Sequence, residues 1–262
     1  MRTLYQFPLS PYCEKVRWVL DFKELHFVAQ NLTPGIHRAL TQLKTKQNQL
    51  PVLKDGNSWI ADSTQIAMYL DDIYPEYRIV SPYPDLHTQI LHWNKFSEEL
   101  GEHIRRYYLA TYLENVSQYS FSSFDSLLGE RSYARKLEKL TKPLLFKMLK
   151  RQYAINEYSV QQSEYRMRQM IQEIEQYLQP NQTFLVGDEL SLADMAIASM
   201  IAPLLQLPET PWELTNDDAQ HITPQIQAFK AYQQQLFSEK TGQYVKNLYE
   251  YHRRAWVDWR GV

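Results

Sequence analysis

Apolar positions in the first eighty residues form short runs that alternate with stretches of helical spacing. Leu4-Tyr5-Gln6-Phe7 reads as a strand, which Pro8 ends. Ser10-Pro11 then opens a helix, with the serine as N-cap and the proline in the first helical position. Val16, Val19 and Leu20, with Trp18 beside them, give that helix an apolar face as far as Lys23. His26 to Ala29 predicts a second strand and Ile36 to Leu43 a short helix. Leu50 to Leu53 predicts a third strand and Ser58 to Ile60 a fourth. The two are joined as a hairpin through Asp55-Gly56-Asn57. Asp62 caps a further helix, Ser63 to Ile73, that turns Ile66, Tyr69 and Leu70 inward. The order is βαβ followed by αββα.

Pro75, Pro82 and Pro84 fall within ten residues and predict an extended linker, with a boundary near residue 80. Beyond it the spacing is helical. Trp93, Phe96, Leu100, Ile104, Tyr107 and Tyr108 share a face, as do Met167, Met170, Ile171, Ile174 and Leu178. Ser191-Leu192-Ala193-Asp194 has the layout of a capping box, flanked by Leu190 and Met195 as a hydrophobic staple. Its helix is expected to end at Pro203, and another runs from Ile222 to Phe237. The expected domains are residues 1–78 and 86–262. The second is enlarged between Val116 and Tyr158 and carries an aromatic tail.

Composition narrows the function classes. Charged residues are 22% and hydrophobic residues 44%, so a core can form and wholesale disorder is excluded. Twenty-eight basic against thirty acidic residues leave a net charge of −2, which argues against nucleic-acid binding through general basicity. One cysteine excludes an intrachain disulfide and a four-cysteine zinc site. The seven histidines show no metal-ligand spacing, and no metal is expected. No apolar stretch reaches the roughly 18 residues of a membrane span, and no signal-peptide layout opens the chain. A cytoplasmic protein in a reducing compartment is expected. Only seven glycines favour long helices over a turn-rich design.

Three places carry chemistry. In Ser10-Pro11-Tyr12-Cys13 a hydroxyl and a thiol stand at a helix N-terminus, where unpaired N–H groups favour an anion or a thiolate. The plain alternative is a capping serine and a packed cysteine. Pro51 lies in a strand, and a cis Leu50–Pro51 bond would turn the Leu50 backbone towards an extended ligand; an ordinary trans edge proline is the alternative. Asp62-Ser63 opens another helix. The serine could hydrogen-bond a carboxylate and the aspartate could meet an ammonium group, which suits an amino-acid head group. Simple capping, Asp62 with Gln65, is the alternative.

Taken together and in this order, these residues resemble the glutathione transferase superfamily. The resemblance rests on Leu4-Tyr5, on Ser10-Pro11-Tyr12-Cys13-Glu14-Lys15-Val16-Arg17, on Leu50-Pro51-Val52-Leu53 and on Asp62-Ser63-Thr64-Gln65-Ile66. Phe184-Leu185-Val186-Gly187-Asp188, leading into Ser191-Leu192-Ala193-Asp194, adds to it. It implies an α/β thioredoxin-like N-terminal domain followed by an all-α helical-bundle domain. It implies glutathione as co-substrate, with Ser10 beside its sulfur as the catalytic residue. Leu50, before Pro51, would pair with the cysteinyl part. Asp62 and Ser63 would hold the γ-glutamyl end, and Gln49 with Lys44 or Lys46 would meet the glycyl carboxylate.

The implied activity is conjugation of the glutathione thiolate to an apolar small-molecule electrophile, a detoxifying transfer that needs no metal. The implied partners are that small molecule and a second copy of the chain in a homodimer. Tyr5, Tyr12 and Cys13 are alternative activators. Tyr107, Tyr108 and Tyr112 either line the acceptor pocket or belong to the core. The tail, Tyr244 to Trp259, would fold over the cleft or pack on the second domain. Ser-Pro-Tyr-Cys also looks like a glutaredoxin motif with its first cysteine replaced, and one cysteine disfavours dithiol exchange. A glutathione-dependent reductase, peroxidase or isomerase, or a non-enzymatic binding protein, are the other readings of the same fold.

Overall fold

The computed structural model describes residues 1–32, 37–113, 146–180, 182–213 and 223–260. Strands β1 (Arg2–Gln6), β2 (Val28–Asn31), β3 (Val52–Asp55) and β4 (Ser58–Ala61) form one sheet in the order β2-β1-β3-β4. β1 pairs parallel with β2, while β3 runs antiparallel to both β1 and β4. Helices α1 (Pro11–Phe22), α2 (His37–Thr45) and α3 (Ser63–Ile73) alternate with these strands. This is the thioredoxin-like α/β arrangement, and an all-helical part follows it. β4 begins at the expected Ser58, and the other strand bounds lie one or two residues from those expected. Cross-strand pairing, such as Leu4 opposite Leu53 and Asp55 opposite Ser58, sets the observed limits. Ile36, the expected start of α2, and the stretch 114–145 lie outside the described residues.

The remaining helices are α4 (Pro84–Leu113), helical residues 146–152, α5 (Glu157–Tyr177), α6 (Leu192–Leu205), α7 (Pro224–Ser238) and α8 (Lys240–Tyr251). Pro84 opens α4 instead of belonging to a linker, since its missing N–H costs nothing in the first turn. α6 runs on through Pro203 to Leu205, because that proline sits in the last turn, where little of the helix follows.

The chain divides into two compact units. One comprises Met1–Glu98, Pro180–Met200 and Tyr244–Val262, the other Glu99–Gln179 and Ile201–Gln243. In the first unit, Val16, Val19 and Leu20 of α1 and Ile66, Ala67 and Leu70 of α3 are buried with Leu4, Val52 and Leu53 of the sheet. The proline-rich stretch after α3 is pinned there. Asp71 accepts from the N–H groups of Ile79 and Val80 and from Lys23 Nζ at 2.7 Å. Ser191-Leu192-Ala193-Asp194 is resolved in the same unit. The buried Asp194 accepts from the Leu185 and Ser191 N–H groups, from the Ser191 hydroxyl and from Tyr244 Oη. The acid therefore reaches back to the N-cap, as a capping box requires, but the serine donates to it instead of accepting from the helix.

In the second unit Met167, Met170, Ile171 and Ile174 of α5 are buried. Tyr107, Tyr108 and Tyr112 gather around Phe229, with ring centroids 5.9, 6.1 and 5.4 Å from it. Glu175 caps α8 by accepting from the N–H groups of Lys240 and Thr241.

Candidate functional site at the ends of three strands

Strand direction alone gathers the candidate residues. Tyr5 of β1 stands opposite Val52 of β3, and Val52 opposite Ala61 of β4. β3 is antiparallel to both neighbours, so the end of β1, the start of β3 and the end of β4 meet at one edge of the sheet. Ser10 follows β1, Leu50-Pro51 precede β3 and Asp62-Ser63 follow β4. Residues some fifty positions apart thus become neighbours, and two helix N-termini open there.

Ser10 is the N-cap of α1, in extended backbone geometry. Its hydroxyl accepts from the Cys13 N–H at 3.4 Å, a long bond that holds the oxygen loosely. Cys13 has no exposed surface. Burial pushes its thiol pKa up, against the pull of Arg17 and of a hydrogen bond with Ser10. The side chain is therefore a neutral thiol in the core, unsuited to attack a substrate.

Asp62 caps α3: its Oδ1 accepts from the N–H groups of Thr64 at 2.9 Å and Gln65 at 3.0 Å. Its φ of 74° lies in the left-handed region, a strained conformation for a residue other than glycine. Ser63, in the first turn, is buried. The Leu50–Pro51 bond is cis. Gln49, Lys44 and Lys46 are exposed. Lys44 Nζ lies 5.2 Å from the Trp59 ring centre, and Lys46 turns the chain with a φ of 58°.

The other aromatic candidates are engaged elsewhere. Tyr5 stacks on Trp59 at 5.5 Å. Tyr12 donates its hydroxyl to the Glu98 carbonyl at 3.0 Å. Tyr107, Tyr108 and Tyr112 are buried in the second unit, where burial pushes the Tyr107 hydroxyl up to about 12. That value leaves the hydroxyl neutral and unable to serve as a base near neutral pH.

A charged network behind α1 was not anticipated from sequence. Arg17, fully buried, reaches Glu14 at 2.7 Å, Gln6 Oε1 at 2.6 Å and the Pro8 carbonyl at 3.2 Å. Arg253, from the tail, meets Glu14 and Asp21, each at 2.8 Å. Burial raises the Glu14 carboxyl, but Arg253 and Arg17 outweigh it and hold its pKa below the ordinary value. At Asp21 burial prevails over Arg253 and raises the pKa to about 6. Further on, Gln6 donates to the Trp259 carbonyl at 3.0 Å and Asn31 donates to that of Arg260. The tail thus packs on α1, β1 and β2, which neither expected placement included, and also, through Tyr244 on Asp194 and His252 on Phe184, on residues of the expected second domain. The Glu14/Arg17 spacing was the one available signal, an i,i+3 pair on the apolar side of a helix.

The profile of the glutathione S-transferase N-terminal domain matches residues 4–78, and that of the C-terminal domain matches residues 138–236. The chain belongs to the glutathione transferase superfamily. Several solved structures share its fold. The β-etherase LigF from Sphingobium sp. strain SYK-6 is 18% identical, with a TM-score of 0.58 over 95% of this chain and 98% of its own. A glutathione S-transferase from Methylobacterium radiotolerans, in complex with glutathione sulfonate, is 16% identical, with a TM-score of 0.56 over 92% of each chain. One from Methylobacillus flagellatus with GSH bound is 14% identical, with a TM-score of 0.56 over 94% and 98%. At these identities the likeness is one of fold. No curated protein matches the sequence.

Proposed function

We propose that this superfamily member is a cytoplasmic glutathione transferase that joins the glutathione sulfur to an electrophilic carbon of an apolar small molecule. The observation that carries the reading is the convergence of Ser10, Leu50-Pro51 and Asp62-Ser63 at one sheet edge, with two helix N-termini opening onto it. An extended tripeptide matches that edge. Its γ-glutamyl carboxylate goes to Ser63 and the start of α3, and its ammonium to Asp62. Its cysteinyl backbone runs along Leu50, and its glycyl carboxylate goes towards Gln49 with Lys44 or Lys46.

The thiolate then lies at the N-terminus of α1. The positive end of the α1 dipole and the Ser10 hydroxyl stabilise it there and lower its pKa. Attack forms the carbon–sulfur bond as the leaving group departs with the electron pair, and proximity supplies much of the rate. The buried, neutral Cys13 speaks against thiol–disulfide exchange as the main reaction.

The test is calorimetric titration with glutathione, together with conjugation of a chlorodinitrobenzene by wild type, Ser10→Ala and Cys13→Ser. Millimolar-or-better binding and a loss of about 100-fold or more in rate for Ser10→Ala alone are expected. Absence of binding rejects the reading. Loss of activity in Cys13→Ser, with Ser10→Ala active, moves the chemistry to the protein thiol.

A further inference from the structure

Two lysines of the first unit have fully buried side chains, and their surroundings differ. Lys23 Nζ meets the Asp71 carboxylate at 2.7 Å and the carbonyls of Tyr74, Glu76 and Tyr77 at 2.9 to 3.1 Å. That is a fully compensated ammonium, tying down the end of α3. Lys15 hydrogen-bonds only two neutral groups among the described residues, Thr64 Oγ1 at 2.9 Å and Asn94 Oδ1 at 3.2 Å. Its nearest carboxylate, Glu98, stands 3.9 Å away, is partly exposed and already takes the Thr64 hydroxyl at 2.5 Å. A buried cation without a close carboxylate costs the fold stability, so stability does not explain its presence.

What Lys15 touches is informative. Thr64 is the second residue of α3, directly after Asp62-Ser63. Its Oγ1 accepts from Lys15 and Asn94 and donates to Glu98, so its bonding capacity is filled. Lys15 sits on the same helix that Ser10 caps. One side chain therefore joins the helix carrying the sulfur site to the turn carrying the head-group site.

We infer that Lys15 is a positioning residue for the amino-acid head group of the ligand: its ammonium fixes Thr64 in the first turn of α3 and adds positive charge behind the groups that take the ligand's α-carboxylate. The inference rests on the glutathione reading above. The bound carboxylate would add a second anion to the distant pairing with Glu98 at 3.9 Å.

The charged groups facing Lys15 are Asp62 at the α3 N-cap and Glu98 on α4; Glu14 and Arg17 of its own helix belong to the tail network. Burial lowers the Lys15 pKa to about 8, against the opposing pull of Glu98 and Asp62. The charge should therefore be lost in an accessible pH range.

The experiment is calorimetry on the full chain with S-methylglutathione, whose sulfur does not titrate, from about pH 7 to about pH 9, on either side of that value. Lys15→Met should weaken binding about tenfold at the lower pH, as for loss of one charge–charge interaction. Wild-type affinity should fall as the pH passes about 8. Lys15→Arg, whose cation does not titrate there, should lack that fall. The ligand's own amino group titrates alike in every case, so the difference between wild type and Lys15→Arg isolates the lysine.

Equal binding by Lys15→Met and wild type, or identical pH profiles for wild type and Lys15→Arg, overturns the inference and leaves the glutathione reading standing. If Lys15→Met does not fold, the comparison of wild type with Lys15→Arg decides. Failure of wild type to bind at any pH rejects the glutathione reading itself, and the inference with it.

Discussion

The Arg17 guanidinium donates to the Pro8 carbonyl at 3.2 Å, two residues ahead of Ser10. The loop that presents the serine is thus held from behind by a buried cation, itself held by Glu14 and Gln6. Removing one partner of a buried ion pair typically costs about 3–5 kcal/mol, because the other charge is left without compensation. Here Glu14 keeps Arg253, so the lower end of that range is expected for Arg17→Met. Urea unfolding should show a loss of about 3 kcal/mol. Conjugation at saturating glutathione should fall as well, since the loop before Ser10 loses its anchor. An unchanged rate alongside the stability loss would show that Arg17 supports the fold and not the serine.

Asp62 combines a cap with a strained backbone, and the cap uses one of its carboxylate oxygens. Oδ1 accepts both helix N–H groups. Asp62→Asn keeps a carbonyl oxygen for that cap and removes the negative charge. The melting temperature should stay close to wild type, because asparagine caps about as well as aspartate. The KM for glutathione should rise about tenfold if the charge meets the ligand's ammonium. A large drop in melting temperature with KM unchanged would reduce Asp62 to a cap. Asp62→Gly relieves the left-handed φ of 74° but loses the cap, so its stability change should be small.

The two caps were legible because Ser10-Pro11 and Asp62-Ser63 are local signals: a side chain satisfies N–H groups two or three residues on, within one stretch of sequence. The α/β order was legible for the same reason, with apolar spacing switching between two periods. The left-handed backbone of Asp62 was not, since nothing in its neighbours demands it. The burial of Lys15 depends on Thr64 and Asn94, 49 and 79 residues away. Arg253 joins Glu14 across 239 residues, and no local pattern in the basic, aromatic tail distinguishes a strap on α1 from a loose end. Long-range electrostatics completes this site, and such pairings leave no periodic trace in sequence.

The ordinary lysine value of 10.5 falls to about 8 at Lys15 in the folded chain, chiefly through burial. Between those two values the unfolded chain binds more protons than the folded one, so stability rises with pH across that window. The cost of the buried charge is present below about pH 8 and relieved as the lysine loses its proton. The full relief amounts to about 3 kcal/mol at about 1.4 kcal/mol per pKa unit. Denaturant midpoints of wild type and Lys15→Met, measured through this range, should converge or cross as pH increases. Parallel curves would mean that the ammonium carries no penalty and is as well compensated as Lys23.

Gly242 lies in the first turns of α8, and its backbone passes close to the end of α7. A Cβ built there would stand 1.9 Å from the Leu236 carbonyl oxygen and 2.6 Å from its carbon. Both are backbone atoms, so no rotamer change can make room. Gly242→Ala should therefore destabilise the second unit, although alanine favours a helix over glycine by about 1 kcal/mol. Overpacking of this kind typically costs about 1–3 kcal/mol, and contact with backbone places it at the upper end. Hydrogen exchange should show the loss as faster exchange in α8 and at Lys240 and Thr241, whose N–H groups Glu175 holds. Conjugation kinetics per folded molecule should not change, since the first-unit residues assigned to glutathione lie elsewhere in the chain. A variant as stable as wild type would show that the end of α7 yields easily, and would remove steric need as the reason for glycine at this position.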